Sequence, residues 1–297
     1  LITGGSGFIG SNLDGDIKLS SKDCDLTSPI DTELLIKYHI PDVIIHLAAK
    51  VGGIVDNINK PAEYFDENVM MNTMLLKSAH KYGVERFIGI LSTCIYPDVV
   101  EEYPMTENML HLGPPTPTNF SYGYAKRCLA VQIDAYNKQY GTKYQYLTPC
   151  NLYGQYDKWG HNSHFVAALI KKIMFAMDNG DNRLQLFGTG KPLRQFMHSD
   201  DLAKVIKHCI DNDIYDSFNV ATEENLSIDE IARIAIEVID NGQIGDIIYD
   251  SDKPDGQYRK DVSIEKMNKI IPDFKAIPLR DGIKQTFEYL KEHQITP

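Results

Sequence analysis

The chain has 297 residues, 43% of them hydrophobic and 24% charged, a balance that suits a packed globular protein. A formal net charge of −11 speaks against a nucleic-acid or anionic-membrane surface, although a local basic pocket can still hold a nucleotide. No apolar run approaches a membrane span, and five cysteines (Cys24, Cys94, Cys128, Cys150, Cys209) without Cys-x-x-Cys spacing read as reduced thiols in a cytosolic protein.

Leu1-Ile2 and Thr3-Gly-Gly-Ser-Gly-Phe-Ile-Gly10 read as a strand running into a glycine-rich turn. In a dinucleotide loop Gly4 allows the tight turn, Gly7 a close backbone approach to pyrophosphate, and Gly10 the packing of a following helix on the sheet. The pyrophosphate would sit at that helix's N-terminus. Only the six residues Ser11–Asp16 separate Gly10 from the next apolar run, Ile17-Lys-Leu19, where a crossover helix takes about ten or more. The stretch reads either as one with residues missing, the favoured reading, or as a degenerate crossover. The opening at Leu1, without Met and already inside a strand, reads as a fragment or partial chain. Ile17–Ser20 is the expected second strand. Its tip, Ser20-Ser21-Lys22, puts hydroxyls and an ammonium where an acidic residue would hold a ribose 2′-hydroxyl. That favours a 2′-phosphate and NADP(H), with Asp23 close by.

Asp42–Ala49 is a continuous apolar run ending in small residues, expected as a strand buried on both faces, with His46 a core histidine. Pro61 opens a long helix that Gly83 closes after Tyr82. Arg86–Leu91 is the next strand, ending at Ser92. The helix Asn119–Tyr140 carries Tyr122-Gly-Tyr-Ala-Lys126, whose four-residue spacing sets the Tyr122 hydroxyl and the Lys126 ammonium on one face. A phenol titrates near pH ~10, and a lysine one turn away favours its phenolate. Tyr144–Pro149 is a further strand, running into Asn151-Leu-Tyr-Gly154. This alternation predicts an α/β fold with a doubly wound parallel sheet. After Gly154 come short candidate strands (Leu184–Phe187, Phe218–Val220, Ile247–Tyr249) and helices (Ile228–Ile239, Leu279–His293). Residues 1–154 are expected to be mainly a Rossmann dinucleotide domain, and 155–297 mainly a smaller α/β substrate-binding portion interleaved with the sheet.

The glycine-rich start, Leu91-Ser-Thr-Cys-Ile-Tyr96 and Tyr122–Lys126 together resemble the extended short-chain dehydrogenase/reductase family. His46-Leu-Ala-Ala49 fits that family's third strand. Four further stretches resemble, more narrowly, its GDP-L-fucose synthase subfamily. They are Ser92-Thr-Cys-Ile-Tyr-Pro97, Ala48-Ala-Lys-Val-Gly-Gly-Ile54, Asn151-Leu-Tyr-Gly-Gln-Tyr-Asp157 with Asn162-Ser-His164, and Lys253-Pro-Asp-Gly-Gln-Tyr-Arg-Lys260. The matches cover nearly the whole chain. It departs in the first strand, in the contracted first crossover, and in Gln155-Tyr156, where the family commonly has Pro-His.

The resemblance implies a bifunctional enzyme. Its substrate would be GDP-4-keto-6-deoxy-D-mannose, epimerised at C3 and C5 and then reduced at C4 with NADPH to GDP-L-fucose. The C4 ketone acidifies both neighbouring carbons, so a base and an acid on opposite faces can invert them through enols. Cys94 is assigned as base and His164 as acid. Ser92, Tyr122 and Lys126 resemble the reductase triad. Tyr122 would protonate the alkoxide, Ser92 would polarise the carbonyl, and Lys126 would bind nicotinamide ribose and depress the Tyr122 pKa. The implied cofactor contacts are Gly4, Gly7, Phe8, Ile9 and Gly10 in the turn, then Ser21, Lys22 and the adenine pair Asp25-Leu26. Ala48 and Ala49 follow, with Lys126, Asn151, Leu152 and His164. For the GDP, Arg194 offers bidentate phosphate contacts, Phe187 an aromatic face, Lys172 a second cation and Asp255 a late-loop contact. Asp200 or Asp201 is expected to cap a helix. No metal is implied, and the family suggests a homodimer through the Pro61 and Asn119 helices. Two alternatives stay open. A 4-epimerase or 4,6-dehydratase would recycle NAD, although Thr93-Cys94 stands where a dehydratase usually has Asp-Glu. A non-catalytic dinucleotide sensor would typically lose the tyrosine or the lysine.

Overall fold

The glycine-rich start folds as β1 (Ile2–Thr3), a turn, and β2 (Lys18–Leu19), which lie parallel with Ile2 opposite Lys18 and Thr3 opposite Leu19. The computed structural model describes residues 1–160, 163–253 and 255–295, so Asn162 and Pro254 of the motifs above lie outside the described residues. The chain continues through α1 (Pro29–His39), β3 (Val43–His46), α2 (Ile54–Asn59), α3 (Pro61–Lys81), β4 (Arg86–Ile90), α4 (Phe120–Tyr140) and β5 (Gln145–Pro149). Then come β6 (Asn151–Tyr153), α5 (Phe165–Asn179), β7 (Arg183–Phe187), β8 (Leu193–His198), α6 (Ser199–Asp211), β9 (Phe218–Val220) and β10 (Asn225–Ser227). α7 (Ile228–Asp240), β11 (Asp246–Asp250), α8 (Glu265–Ile270) and α9 (Leu279–Glu292) complete it.

Six strands form one parallel sheet in the order β2-β1-β3-β4-β5-β9. Every residue of β4 is buried, as a strand covered on both faces requires. On the sheet, α3 packs between α1 and α4. From β1 the chain first steps outward to β2 and then returns to place β3 on the other side of β1. That reversal opens a crevice at the carboxyl ends of β1 and β3, where such sheets bind ligands. β9, from the second half of the sequence, pairs with β5, so both halves build the sheet. A second core gathers α5, α7 and α9 around Ile170, Ile173, Ile236 and Ile283. Local chemistry fixes the helix ends. Ser28 caps α1, Ser227 and Glu230 form a capping box on α7, and Gly141 closes α4 in the left-handed region.

The first crossover differs from a standard one. Residues 4–17 carry only a 3₁₀ turn at Gly10–Asn12, so no α-helix N-terminus is available for a pyrophosphate. The role expected of Gly10 changes accordingly. A Cβ there would meet Gly5 Cα at 2.6 Å, so Gly10 lets the turn fold back on itself rather than letting a helix pack. Lys18 Nζ donates to Leu13 O at 2.9 Å and Asn12 Nδ2 to Phe8 O at 2.8 Å, closing the short path.

α4 is pinned to the turn that follows β4, residues Thr93–Ile95. Three positions one helical turn apart hold it. Asn119, at the N-cap, donates to Cys94 Sγ at 3.0 Å. Gly123 abuts the Cys94 carbonyl, and a Cβ there would also meet Pro115 Cβ at 2.8 Å. Arg127 Nε donates to Ile95 O at 2.8 Å. Gly123→Ala should therefore lift the helix from this turn and cost about 1–3 kcal/mol in urea unfolding. Gly245→Ala, with open space around its Cβ, should stay within about 0.5 kcal/mol of wild type. Equal stability of the two variants would show that the helix does not depend on this close approach.

Candidate active site

Strand β4 delivers Ser92 and Cys94 to the sheet's carboxyl edge, and the first turns of α4 bring Tyr122 and Lys126 beside them. Ser92 Oγ accepts from the Cys94 amide at 3.3 Å. Lys126, 2% exposed, donates from Nζ to Ile90 O at 2.9 Å. Burial holds its ammonium at a pKa of about 8 instead of 10.5.

One expectation is reversed here. Lys126 does not depress the Tyr122 phenol. Burial pushes that phenol up first, and the neighbouring Cys94 and Tyr64 add to the rise. The Lys126 ammonium is turned to the β4 carbonyl, so sharing a helix face with Tyr122 does not make it the tyrosine's partner. Tyr122 is thus a neutral phenol at neutral pH, the state a proton donor needs. An alkoxide is a far stronger base than a phenolate, so transfer from this phenol runs downhill.

Cys94 is partly exposed and doubly contacted. Besides Asn119, Lys260 Nζ lies 3.0 Å from its Sγ. Burial alone would raise the thiol. The Lys260 ammonium and the bonds from Ser92, Lys260 and Asn119 outweigh it, and the net direction is down. Neither Lys260 nor Asn119 was picked out from sequence. The Lys260 contact joins residues 166 apart, which no local pattern encodes.

His164 stands at the N-cap of α5 with its ring centroid 5.9 Å from that of Phe8 in the glycine turn. Its Nδ1 is 2.7 Å from Asp157 Oδ1. The Asp157 side chain is fully buried, whereas that of His164 is 47% exposed. A buried carboxylate on Nδ1 fixes the ring and leaves Nε2 for chemistry. Asp157 was also missed, although it closes the Asn151–Asp157 motif. Gln155 Nε2 reaches Asn12 Oδ1 at 3.3 Å, so this loop is tied to the glycine turn.

The glycine turn meets several demands of a dinucleotide. Gly4, at φ +66°, lies against the Ala48 amide, where a Cβ would approach to 2.9 Å. Ala48 N donates to Thr3 Oγ1 at 3.3 Å, which joins the ends of β1 and β3. The amides of Phe8 and Ile9 have no protein acceptor among the described residues, as an anion-binding turn requires. Past β2, Ser21 and Lys22 are exposed. Asp23, also exposed, is turned onto Ser20, accepting from Ser20 N at 2.7 Å and Ser20 Oγ at 2.6 Å. Asp25 accepts from Thr27, and Leu26 is buried in the main core. Asn151 and Leu152 lie on β6, half-buried, with Asn151 Nδ2 donating to Gln195 O at 2.9 Å.

On the other half, Phe187 is 62% exposed, with Lys172 Nζ 4.9 Å and Lys253 Nζ 6.0 Å from its ring centroid. Asp255 accepts from Thr189 N at 2.6 Å and Thr189 Oγ1 at 2.7 Å, and it faces the half-buried Arg194. α6 is capped by His198 rather than by Asp200 or Asp201. His198 accepts from the Asp200 amide at 3.3 Å, while Asp201 accepts from Ile277 N at 2.6 Å and Lys204 Nζ at 2.9 Å.

Fold and site together define a dinucleotide-dependent enzyme with a phenol and a thiol in one wall. The chain matches the model of the NAD dependent epimerase/dehydratase family over residues 1–221 and belongs to that family. It is 36% identical over 313 residues to a GDP-L-fucose synthase of Dictyostelium discoideum, covering 100% of this chain and 96% of that one. It is 33% identical over 307 residues to a GDP-L-colitose synthase of Yersinia pseudotuberculosis, covering 97% and 96%. A GDP-L-fucose synthetase of Naegleria fowleri, solved bound to NADP, superposes with a TM-score of 0.87 at 30% identity, covering 99% and 94%.

The buried ammonium gives a stability prediction. The folded-state pKa of Lys126, about 8, lies below its ordinary 10.5. Its charge therefore costs stability below pH 8, and the cost fades as pH rises from 8 toward 10.5. Lys126→Met removes that cost. Its stability relative to wild type should fall by about 2 kcal/mol between roughly pH 7 and 9.5 in urea titrations. A difference that stays flat with pH would show that the ammonium is not strained by burial.

Proposed function

We propose that this chain inverts C3 and C5 of GDP-4-keto-6-deoxy-D-mannose and then reduces its C4 ketone, yielding GDP-L-fucose, with NADP(H) as cofactor. The observation that carries the reading is the Cys94 thiol in the same wall as Tyr122, with Lys260 and Asn119 on its sulfur. Plain ketone reduction has no use for an activated thiol. Inversion next to a ketone needs a base of this kind. The full-length likeness to GDP-L-fucose synthases supports the same conclusion.

NADPH, when bound, supplies the hydride. The open Phe8 and Ile9 amides, Gly4 and Gly7, Ala48, Ala49, Asn151 and Leu152 would hold its pyrophosphate and nicotinamide half. Ser21 and Lys22 would take the 2′-phosphate, Asp25 and Leu26 the adenine side, and Lys126 the nicotinamide ribose. Asp23, turned onto Ser20, leaves that tip to the hydroxyls and the ammonium.

Cys94 takes the proton from C3 or C5, and His164, steadied by Asp157, returns one to the opposite face from Nε2. Ser92 donates to the C4 oxygen and stabilises the enolate. Tyr122 then gives that oxygen its proton in the reduction. Arg194 and Lys172 hold the diphosphate and Phe187 lies beside the guanine, while Asp255 secures the 188–190 turn through Thr189. The portion after Gly154 is the sugar-nucleotide side of the site. We extend the reading to a cytoplasmic homodimer packed through α3 and α4, where Phe65, Met70 and Val131 are exposed.

The two stages should separate by mutation. Cys94→Ser replaces a thiol of ordinary pKa ~8.5 with a hydroxyl that is far harder to ionise. Solvent-deuterium incorporation at C3 and C5, followed by NMR, should nearly stop. NADPH consumption should continue and yield GDP-6-deoxy sugars of the D series. Tyr122→Phe should do the converse, exchanging deuterium but not reducing. Wild-type exchange in Cys94→Ser would remove the thiol from the mechanism and defeat the two-stage reading.

A further inference from the structure

Cys94 is set among charged and polar groups in a way that a filler cysteine is not. Lys260 Nζ and Asn119 Nδ2 each lie 3.0 Å from Sγ, reaching it from 166 and 25 residues away in the sequence. Asn119 is fixed as the N-cap of α4. Lys260 follows Arg259, which is anchored by Nε to Asp261 Oδ1 at 2.6 Å and by Nη2 to Asp261 Oδ2 at 2.9 Å. Asp261 is itself buried, and its carbonyl accepts from Met105 N at 2.9 Å. The Lys260 head is therefore delivered to the sulfur by a braced segment rather than by a free surface loop.

We propose that Lys260, with Asn119, holds Cys94 as a resting thiolate, so that the base of the epimerising site is a thiolate–ammonium pair. An ammonium and an amide N–H can only donate, and among the groups on this sulfur neither competes to accept its proton while Lys260 is charged. A thiolate accepts both bonds, whereas a thiol would leave its own hydrogen facing two donors. Ser92 also bonds this thiol, in the direction that favours its charged form; among the described residues Tyr122, which is neutral, and Arg194, a second cation, face it too. Both leave the thiolate favoured. The direction of the Cys94 pKa, lowered despite burial, agrees.

The use of this thiolate as a base rests on the function proposed above, but its existence does not. In the base step the sulfur takes the carbon-bound hydrogen as a proton. An S–H bond forms as the C–H bond breaks, and the electron pair passes to the enolate oxygen. Lys260 touches the base and not the reacting carbon, so it is a positioning residue.

The test needs no substrate. Whole, cofactor-free protein is alkylated with iodoacetamide across a range of pH, and each cysteine is followed by peptide mass spectrometry. The wild-type Cys94 rate should level off well below the ordinary thiol value of about 8.5. Lys260→Met should shift that profile upward by about one pH unit or more, a loss of roughly tenfold in rate near pH ~6.5. Lys260→Arg should keep most of the wild-type profile. Cys24 and Cys128, whose thiols burial pushes up, serve as internal controls and should not respond. Reaction at the buried Cys150 and Cys209 would mark a variant as unfolded. The thiolate absorbance of wild type minus Cys94→Ser, titrated with pH, then decides. A Cys94 that titrates near its ordinary value in wild type, or a Lys260→Met profile that matches wild type, overturns the proposal. A low-titrating Cys94 whose Ser variant still exchanges deuterium would leave the thiolate standing and remove only its role as base.

Discussion

The site depends on how closely α4 lies against the turn that ends β4. Asn119, Gly123 and Arg127 recur at helical spacing and engage, in order, the Cys94 sulfur, the Cys94 carbonyl and the Ile95 carbonyl. The stripe beside them carries Tyr122 and Lys126. One stripe of the helix therefore clamps the turn, and the next supplies the chemistry. Because β4 is buried on both faces in a parallel sheet, the turn has a fixed platform. Ser92, Cys94, Tyr122 and Lys126 are consequently set by packing rather than by loops alone, which suits a site that must hold reacting atoms closely.

That placement carries a cost in buried charge. The Lys126 ammonium is buried against the Ile90 carbonyl of β4, and burial disfavours it. Cys94 and Lys260 answer the same difficulty differently, as neighbours of opposite tendency at 3.0 Å. His164 and Asp157 are a third solution, a buried carboxylate beneath a half-exposed imidazole. In each case an ionisable side chain is given a polar neighbour inside the fold.

Much of this was legible in the sequence where the signal was local. Pro61 and Gly83 bound one long helix, and the apolar runs at 42–49, 86–91 and 144–149 gave the central strands. α1 was not read, because Ile30, Leu34 and Tyr38 are exposed while Thr32 and Ile36 are buried, leaving little helical pattern. β6 and β8 were not read because Asn151, Arg194 and Gln195 interrupt any alternation, and their pairing with each other defines them. The spacing of Tyr122 and Lys126 was correct, but spacing carries no information on depth. Burial, which reverses the expected effect on the phenol, comes only from the packed fold. Lys260, 166 residues from its sulfur, is the extreme case.

The account stands on one pocket that both inverts and reduces. The most direct test is a single turnover of wild-type protein with GDP-4-keto-6-deoxy-D-mannose and NADPH in deuterated water, with the product resolved by NMR. The account predicts GDP-L-fucose carrying solvent deuterium at C3 and C5, and one NADPH consumed per product. A product of the D series without solvent deuterium, or inversion with no net NADPH consumed, would contradict it.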